Sequence, residues 1–396
     1  MTSRRGHHLD TVLEHSGRDP GRNFGIVNPP VYHASTVIFP SLETLLATRI
    51  DRASGAFEGV TYGREGTPTT RAFEEAITEL EGGYRAVTLP CGLGAIAASL
   101  MAFLKAGDHL LMPDQLYGPA RQFCDDVLAK FGVEVTYYDG LIGAGIAVLM
   151  KPNTAVVYLE SPGSLTFEVQ DLPAIAGVTH RHGALVIHDN SWATPFGFRS
   201  FDHGADVSVH AATKYIGGHS DVLLGLILCS ETTFPALHRI WTDMGVTASP
   251  DDCFLGLRGL RTLPVRLRQH VASAVEIAQW LQRRPEVREV IYPVLPGSRG
   301  HELWKRDFLG GSGLFAVVLQ PVAKARIDAM LNGMELFGMG WSWGGFESLI
   351  IPTYPELIHT ATKWDPGGPC LRLAIGLEDP ADLIADLEAG FKRLAG

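Results

Sequence analysis

Short apolar segments alternate with helical segments through residues 86–189, and this alternation is the feature that most restricts the possible folds. The strand-like segments are 86–90, 109–114, 133–138, 155–159 and 184–188. A helical pattern at 172–182 separates the last two of them. Strands and helices at this spacing predict an α/β fold, with a mainly parallel sheet covered by helices on both faces. Polar loops should then converge at one edge of the sheet.

The chain divides into three regions by pattern. Residues 1–65 are rich in glycine, proline and polar residues, so we interpret them as an N-terminal arm that packs on the rest of the chain or on a neighbouring subunit. Residues 66–258 carry the strand and helix alternation and form the large domain. Residues 259–396 form a smaller α+β domain. It is entered through a long helical segment that begins near Leu257 and that Pro264 interrupts.

The composition excludes several classes of partner. The 396 residues are 46% hydrophobic and 19% charged, which is typical of a soluble globular protein with room for two domains. With 33 basic against 43 acidic residues and no run of lysines, neither nucleic acid nor an anionic membrane is expected to bind. No apolar run is long enough to cross a bilayer, and the N-terminal residues carry no secretory signal.

The cysteines and histidines give no sign of disulfides or metal. Five cysteines without a CxxC pair predict free thiols in a reducing cytoplasm. Neither an HExxH motif nor a cluster of cysteine and histidine occurs, so no metal site is predicted. We therefore expect a cytoplasmic protein without a bound metal.

A carboxylate and a lysine follow two successive strand-like segments. Asp189 ends the apolar run ALVIH, and Lys214 lies between a small uncharged run and Gly217-Gly218. Taken alone, Lys214 would be an ordinary solvated lysine. A carboxylate at the end of a buried strand, however, needs a cationic or hydrogen-bonding partner. A protonated pyridine nitrogen would serve, and a lysine on a neighbouring loop can reach the aldehyde of the same ring.

Glycines open the helix that follows the first strand, and they allow two interpretations. Backbone amides at a helix start attract phosphate. The same stretch matches a dinucleotide-binding fingerprint, because Gly92, Gly94 and Ala97 have the spacing G-x-G-x-x-A and Asp114 ends the next strand. An NAD-dependent oxidoreductase is therefore an alternative, although a lone fingerprint is weak. Upstream, Tyr62 and Arg64 in TYGREGT are either turn residues or an anion-binding pair, since a phenol and a guanidinium match phosphate oxygens.

Ordered matches along the whole chain resemble the bacterial cystathionine beta-lyases within the Cys/Met-metabolism family of pyridoxal 5'-phosphate (PLP) enzymes. The segments that carry the resemblance are TYGREGT, ELEGG, ESPGS, HDNSWA, AATKYIGGHSD, RGLRTLPVRLRQH, LPGS, LWKRDFLGGSGLF, SWGGFESL and LRLAIGLED. The resemblance implies fold type I of the PLP-dependent transferases, which is aspartate aminotransferase-like. It also implies that the glycines at the helix start belong to a phosphate-binding site and not to a dinucleotide-binding fingerprint.

The resemblance implies a role for each cofactor residue. Lys214 would hold PLP as a Schiff base, and Asp189 would pair with the pyridinium nitrogen. The residues that would contact the phosphate or the ring are Gly92, Leu93, Thr213, Tyr117, Tyr62 and Arg64. Tyr62 and Arg64 would come from the adjacent subunit, so a homodimer would be required, and we expect a homotetramer. Ala211 replaces a serine that many relatives carry, which would remove one phosphate contact.

The resemblance also implies the substrate site and the reaction. Arg372 would bind the α-carboxylate of an amino acid, with Ser342 and Trp343 beside it. Lys214 would remove the α-proton, and Lys214 or a phenol, Tyr117 or Tyr62, would protonate the departing sulfur. The expected reaction is α,β-elimination that yields a thiol, pyruvate and ammonia. Elimination or replacement at the γ-carbon on the same scaffold is the alternative.

The chain departs from the beta-lyase pattern where the distal end of the substrate should lie. Thr61 replaces an aromatic residue, and Glu65 replaces an arginine suited to a distal carboxylate. Gln122 and Thr242 replace an aspartate and a tyrosine of the same pocket. We therefore expect a sulfur-containing amino acid other than cystathionine to be the preferred substrate, unless Glu65 points into solvent.

Overall fold

The large sheet contains seven strands in the order β1-β7-β6-β5-β4-β2-β3. The structure, a computed structural model, describes residues 6–54 and 59–395. The strands are β1 (Arg85–Leu89), β2 (His109–Pro113), β3 (Glu134–Tyr138), β4 (Thr154–Glu160), β5 (Leu185–Asp189), β6 (Val207–Ala211) and β7 (Gly225–Cys229). Strands β6, β5, β4, β2 and β3, which are adjacent in the sheet, pair in parallel. Strand β7 is antiparallel to both of its neighbours, β1 and β6. The predicted mainly parallel sheet is confirmed.

Helices cover both faces of this sheet because most of its residues are buried, and more than half of these buried residues are apolar. On one face lie α4 (Gly92–Phe103), α5 (Gly118–Phe123) and α8 (Phe234–Met244). On the other face lie α3 (Pro68–Glu81), α6 (Leu172–Arg181), the short α7 (Thr194–Gly197) and α9 (Pro250–Leu281). None of the helices in the described ranges is long and apolar enough to span a bilayer.

A second sheet of four antiparallel strands follows α9, in the order β10-β11-β9-β8. Its strands are β8 (Val287–Ile291), β9 (Leu314–Leu319), β10 (Leu349–Thr353) and β11 (Cys370–Ala374). The helices with it are α10 (His301–Asp307), α11 (Lys324–Asn332) and α12 (Pro380–Ala395). The segment predicted near Leu257 begins earlier, at Pro250, and Pro264 lies inside α9 without ending it. The predicted boundary at 258–259 therefore falls within a helix that packs on both sheets.

The N-terminal arm has more helix than its sequence indicates. α1 (Leu9–His15) buries Leu9, Val12 and Leu13 against the core that contains α3 and α9. α2 (Leu42–Ser54) follows a long extended stretch. Large apolar side chains on this stretch and on α2 face solvent in the single chain: Phe24, Ile26, Val27, Ile38, Leu42, Leu45 and Leu46. Large apolar side chains exposed in this number favour contact with another surface, which supports the interpretation of this region as an arm.

A buried polar network joins α3 to β5 and β6 on the face of the sheet opposite the α4 layer. The carboxylate of Glu81 accepts hydrogen bonds from His210 and Ser208, each at 2.9 Å. Asn190 and the backbone N–H of Ser200 donate to the same carboxylate at 3.2 Å. Burial alone would raise the pKa of Glu81, but His210 and these donors hold it at about 2. The network fixes the two strands whose ends form the site described below.

Replacement of Glu81 by alanine should destabilise the fold strongly. Glu81→Ala leaves the His210 imidazole and the hydroxyl donors buried without their acceptor, so we expect the free energy of unfolding to fall by about 3 kcal/mol or more. Urea denaturation followed by far-UV circular dichroism measures this. The control Glu302→Ala, on an exposed part of α10, should change it by less than about 0.5 kcal/mol. A loss below about 1 kcal/mol for Glu81→Ala would contradict the assigned network.

Candidate active site

The carboxyl edge of the large sheet brings most of the predicted residues together. Asp189 is the last residue of β5, and it stands in register with Glu160 at the end of β4. Lys214 follows β6 by three residues, and Gly92 begins the helix after β1. Since parallel strands present their carboxyl ends on the same side, separate loops meet here.

Asp189 is a buried carboxylate without a cationic partner in the described chain. It accepts hydrogen bonds from the N–H of Ser191 at 2.9 Å and from the hydroxyl of Tyr158 at 3.2 Å. No basic side chain among residues 6–54 and 59–395 forms an ion pair with it. Burial raises the pKa of this carboxyl group. A protonated ring nitrogen would supply the missing positive charge, so the residue fits the role predicted for it.

Lys214 lies in a tight turn with its amine directed at the second sheet. Its Nζ donates to the hydroxyl of Ser342 at 2.7 Å and lies 5.1 Å from the centre of the Trp343 ring. Burial, and next the nearby positive charge of Arg372, lower the pKa of the lysine to about 8. About a tenth of the amine is therefore unprotonated at pH 7, against far less than a hundredth for an ordinary lysine, and a nucleophile or a base requires this form.

Arg372 is a buried cation on β11, paired in register with Ile351 and Ala316. Its guanidinium donates to the backbone carbonyl of Ser342 at 3.0 Å, and only 7% of the residue is exposed. Burial lowers its pKa to about 10. No carboxylate forms an ion pair with it in the described parts of the chain. A buried guanidinium in this condition favours an anionic ligand, and a planar carboxylate fits its two-pronged geometry.

The start of α4 offers free backbone donors. The first-turn N–H groups of Gly92 and Leu93 have no partner inside the helix, as at any helix N-terminus. A Cβ atom at position 92 would lie 2.6 Å from the Cβ of Ala211, so only glycine permits this approach of α4 to β6. The Thr213 hydroxyl accepts from the N–H of Leu224 at 2.9 Å and donates to the carbonyl of Leu224 at 3.3 Å. A phosphate would have to take over that donated hydrogen.

Tyr117 precedes α5 and leaves 42% of its surface open, as a residue that stacks on a ligand must. Its N–H donates to Glu160 at 2.7 Å, so that carboxyl group fixes the position of the tyrosine. Burial, then the charge of Glu160, raise the pKa of the phenol. Burial also raises the pKa of Glu160 itself, and the adjacent Asp189 adds to the effect.

Glu160 and Ser191 lie in the site, but neither was predicted from the sequence as a site residue. Glu160 ends β4 as Asp189 ends β5, and this shared position in the strand was the available signal. Ser191 accepts a hydrogen bond from the N–H of Ala211 at 2.7 Å and thereby joins the loops after β5 and β6. No sequence pattern indicated that contact.

A second group of predicted residues lies apart from Lys214 within the chain. Arg64 donates to the carbonyl of Thr242 at 2.8 Å, and the Ser35 hydroxyl donates to the Tyr62 hydroxyl at 3.4 Å. Glu65 accepts from Thr61 at 2.8 Å and lies 3.4 Å from Arg64. In residues 6–54 and 59–395, no hydrogen bond of Tyr62 or Arg64 reaches the Lys214 group. Their contribution to a neighbouring subunit's site stays a prediction.

Two further predicted positions differ in their surroundings. Gln122 is exposed on α5. Thr242 on α8 is partly buried, and its carbonyl accepts the Arg64 guanidinium. Neither arrangement within one chain tests the assignment of these positions to the distal substrate pocket.

The dinucleotide-binding alternative meets a structural obstacle at Asp114. This carboxylate is buried and accepts hydrogen bonds from the Arg121 guanidinium and from the N–H groups of Thr360, Ala361 and Thr362. A ribose hydroxyl would have to displace these donors. Asp114 therefore anchors a loop of the C-terminal region and is not free for a nucleotide.

Comparison with known proteins decides the family. The family description "Cys/Met metabolism PLP-dependent enzyme" matches residues 10–392. The chain belongs to this family. It is 44% identical to cystathionine beta-lyase MetC of Escherichia coli over 98% of both chains. A crystal structure of metB from Corynebacterium glutamicum matches with a TM-score of 0.87 and 30% identity over 98% of both chains. The enzyme is PLP-dependent, and its fold is the type I fold of such enzymes, as predicted.

Relatives of the enzyme include proteins with other names. An L-alanine/L-glutamate racemase of Wolbachia pipientis is 38% identical over 97% of both chains. An L-methionine gamma-lyase of Porphyromonas gingivalis is 33% identical over 94% of both chains. Membership of the family therefore establishes the cofactor and leaves the reaction to be argued from the site.

The lowered pKa of Lys214 predicts how the apo-protein takes up PLP. Only the unprotonated amine reacts with the aldehyde, so the rate of uptake should rise about tenfold per pH unit below pH 8 and level off above it. Stopped-flow absorbance in the yellow region measures this rate. Lys214→Ala should develop no covalent band at any pH. A rate for the unmodified chain that is still climbing near pH 10, as for an ordinary lysine, would contradict the assignment.

Proposed function

We propose that the enzyme is a PLP-dependent carbon-sulfur lyase of the cystathionine beta-lyase type. It removes a sulfur leaving group from the β-carbon of an amino acid and yields a thiol, pyruvate and ammonia. The observation that carries this proposal is the position of Lys214. Its amine has a lowered pKa and lies with a buried acid, Asp189, and a buried cation, Arg372, nearby.

The residues at the sheet edge are suited to hold PLP. Lys214 would attach the cofactor covalently, Asp189 would face its ring nitrogen, and Tyr117 would cover one face of the ring. The N–H groups of Gly92 and Leu93 would face the phosphate, with the Thr213 hydroxyl as a further donor. When bound, PLP supplies an electron sink for the electrons left on the α-carbon after proton removal.

The substrate residues hold the amino acid against the lysine. Arg372 would bind the α-carboxylate, and Ser342 lies between the two, since its hydroxyl meets Lys214 and its carbonyl meets Arg372. Trp343 lies beside the lysine, with its ring centre 5.1 Å from the Lys214 Nζ. A carboxylate held there places the α-proton within reach of the Lys214 amine, which acts as the base.

A proton must then reach the departing sulfur. Lys214 carries one after it has acted as the base, and the phenols of Tyr117 and Tyr62 are the other candidates. The raised pKa of Tyr117 keeps its proton in place at neutral pH, so this phenol is a donor and not a base. Tyr62 can take part only if a second subunit brings it to the site.

The proposal includes a homodimer, and a homotetramer as the complete assembly. Two observations support a partner subunit: the exposed apolar side chains of the arm, and the separation of Tyr62 and Arg64 from Lys214 within one chain. We also place the enzyme in the cytoplasm, which its five free thiols support.

The distal end of the substrate is where we expect this enzyme to differ from cystathionine beta-lyases. Glu65 would face the part of the substrate beyond the sulfur, once it is presented to a neighbouring subunit. A negative charge there disfavours a distal carboxylate and favours a neutral or positive group. In the single chain, Glu65 is held by Thr61 and Arg64 and is only 10% exposed at its side chain. A fixed carboxylate with little solvent around it discriminates more strongly than a mobile one.

A panel of sulfur amino acids tests the reaction and the distal charge together. The informative pair is S-(2-aminoethyl)-cysteine and S-(2-carboxyethyl)-cysteine, which differ mainly in the sign of the distal charge. We expect kcat/KM to favour the aminoethyl compound by about tenfold or more, and Glu65→Arg to reverse the preference. Pyruvate release, measured by a coupled assay, reports β-elimination.

Three results on this panel would contradict the proposal. Cystathionine turned over far better than either conjugate would refute the altered distal pocket. Release of 2-oxobutyrate from methionine or cystathionine would show γ-elimination instead. A D-amino acid without keto acid would show racemisation.

Hybrid dimers test whether two chains build one site. Lys214→Ala and Arg64→Ala chains, each nearly inactive alone, should form a tagged heterodimer with about half of the wild-type activity, because one of its two sites receives an intact Lys214 and an intact Arg64. The matched control combines Lys214→Ala with Asp189→Ala, which belong to the same chain's site. That hybrid should stay inactive. Equal activity in the two hybrids would contradict the shared site.

A further inference from the structure

A polar stripe on α9 lies beneath the turn that carries Lys214. Thr262, Arg266 and His270 are spaced by four residues, so they share one face of the helix. Arg266 and His270 are buried, and both are directed toward Tyr215, the residue that follows Lys214. Polar groups at this depth are costly unless each one has partners.

Within the described residues, the four hydrogen bonds that the Arg266 guanidinium donates all go to neutral groups. It donates to the carbonyls of Tyr215 and Gly259, each at 2.8 Å, to that of Ile216 at 3.4 Å, and to the Thr262 hydroxyl at 3.0 Å. Burial lowers its pKa to about 10. None of its hydrogen-bond partners is a carboxylate, so the charge is balanced by the carbonyl dipoles of the Lys214 turn and of α9. An apolar side chain of this size would leave the carbonyls of Tyr215 and Ile216 without this donor.

The turn is shaped around this guanidinium. Gly218 has φ of +72°, a conformation that other residues rarely adopt, and a Cβ there would overlap Arg266 Nη1. The N–H of Gly218 closes the turn by donating to the carbonyl of Lys214 at 2.8 Å. The position of Lys214 therefore depends on the fit between Arg266 and the residues that follow the lysine.

Tyr215 and His270 extend the contact into the second sheet. The Tyr215 hydroxyl accepts the N–H of Gly313 at 2.9 Å, and its ring meets the His270 ring edge-on with 5.2 Å between centres. His270 Nδ1 lies 2.7 Å from the carbonyl oxygen of Ile375. Gly313 directly precedes β9, and Ile375 directly follows β11.

These contacts form a short path from the lysine to the carboxylate-binding arginine. β9 and β11 are paired, with Ala316 opposite Arg372, and the N–H of Ile375 donates to the carbonyl of Gly313 at 2.8 Å. Gly313 and Ile375 each lie three residues from the paired Ala316 and Arg372 along their strands, so Tyr215 and His270 hold β9 and β11 close to Arg372.

We propose that Arg266, Tyr215 and His270 form a buried bracket that sets the position of Lys214 relative to Arg372, and so act as positioning residues for the reaction. Arg266 holds the Lys214 turn, while Tyr215 and His270 hold the ends of β9 and β11. The inference rests on the proposed roles of Lys214 and Arg372. A displacement of the lysine against a substrate held by Arg372 slows proton transfer more than it weakens carboxylate binding.

Tyr215→Phe tests the bracket with the smallest change, since only the hydroxyl is lost. The matched control is Tyr292→Phe, a buried neighbour of Tyr215 whose hydroxyl donates to the carbonyl of Ser312 at 2.7 Å and forms no hydrogen bond with the described residues 211–218. Both variants should lose similar melting temperature and keep full PLP content. Only Tyr215→Phe should lower kcat, by about tenfold to a hundredfold, with the inhibition constant of propionate within about twofold of wild type.

Arg266→Lys is the second variant, because it keeps the positive charge and removes the planar guanidinium that donates to several carbonyls at once. Arg266→Lys should lower kcat by an amount similar to that expected for Tyr215→Phe. In both variants the pH midpoint of the visible band of the lysine-bound cofactor should move away from wild type, while it stays in place for Tyr292→Phe. Equal kcat and equal midpoints for Tyr215→Phe and Tyr292→Phe would overturn the proposal and leave the bracket merely structural.

The pH midpoint of the visible band also distinguishes a failure of this inference from a failure of the proposed function. If the wild-type enzyme released no keto acid from any substrate, the proposed reaction would fail. The visible band of Tyr215→Phe and of its control would still show whether the bracket sets the surroundings of Lys214.

Discussion

Two buried charges of opposite sign, each without an ionic partner in the described chain, determine what this site can do. Asp189 ends a parallel strand of the large sheet, and Arg372 lies on an antiparallel strand of the second sheet. Isolated charges at such depth are unstable unless a ligand completes them. PLP would supply the positive ring nitrogen and an amino acid the negative carboxylate. Lys214 lies near both charges. An amino acid joined to PLP at this position would therefore offer the ring nitrogen to Asp189 and the carboxylate to Arg372 at the same time.

The rest of the fold keeps these charges in place. The Glu81 network fixes β5 and β6 from the far face of the sheet, and the α9 stripe holds the turn after β6 against the second sheet. Both consist mainly of buried polar side chains, and each contacts a residue directly next to one that we assign to ligand binding. Burial of these polar groups lowers the stability of the fold, but it fixes the relative positions of Asp189, Lys214 and Arg372 more closely than hydrophobic packing alone would.

The sequence predicted the parallel sheet because buried strands read as continuous apolar runs, as in β2 and β5. It singled out Lys214 and Asp189 because each follows an apolar or small-residue run, whereas Arg372 was assigned through the family resemblance. It missed α1 and α2, although their apolar residues have the helical spacing i, i+3, i+4, because both helices lie within a region rich in glycine, proline and polar residues. It also placed a break at Pro264, where burial of α9 against both sheets outweighs one lost hydrogen bond. Glu160, Arg266 and His270 could not be assigned from sequence because their roles arise from contacts between distant segments.

The most direct test of the central claim is the attachment point of the cofactor. Reduction of the holoenzyme with borohydride makes the link permanent, and proteolysis with mass spectrometry then locates it. We expect a single phosphopyridoxyl group, on Lys214. Attachment at another lysine, or complete loss of PLP on denaturation after reduction, would show that Lys214 does not hold the cofactor.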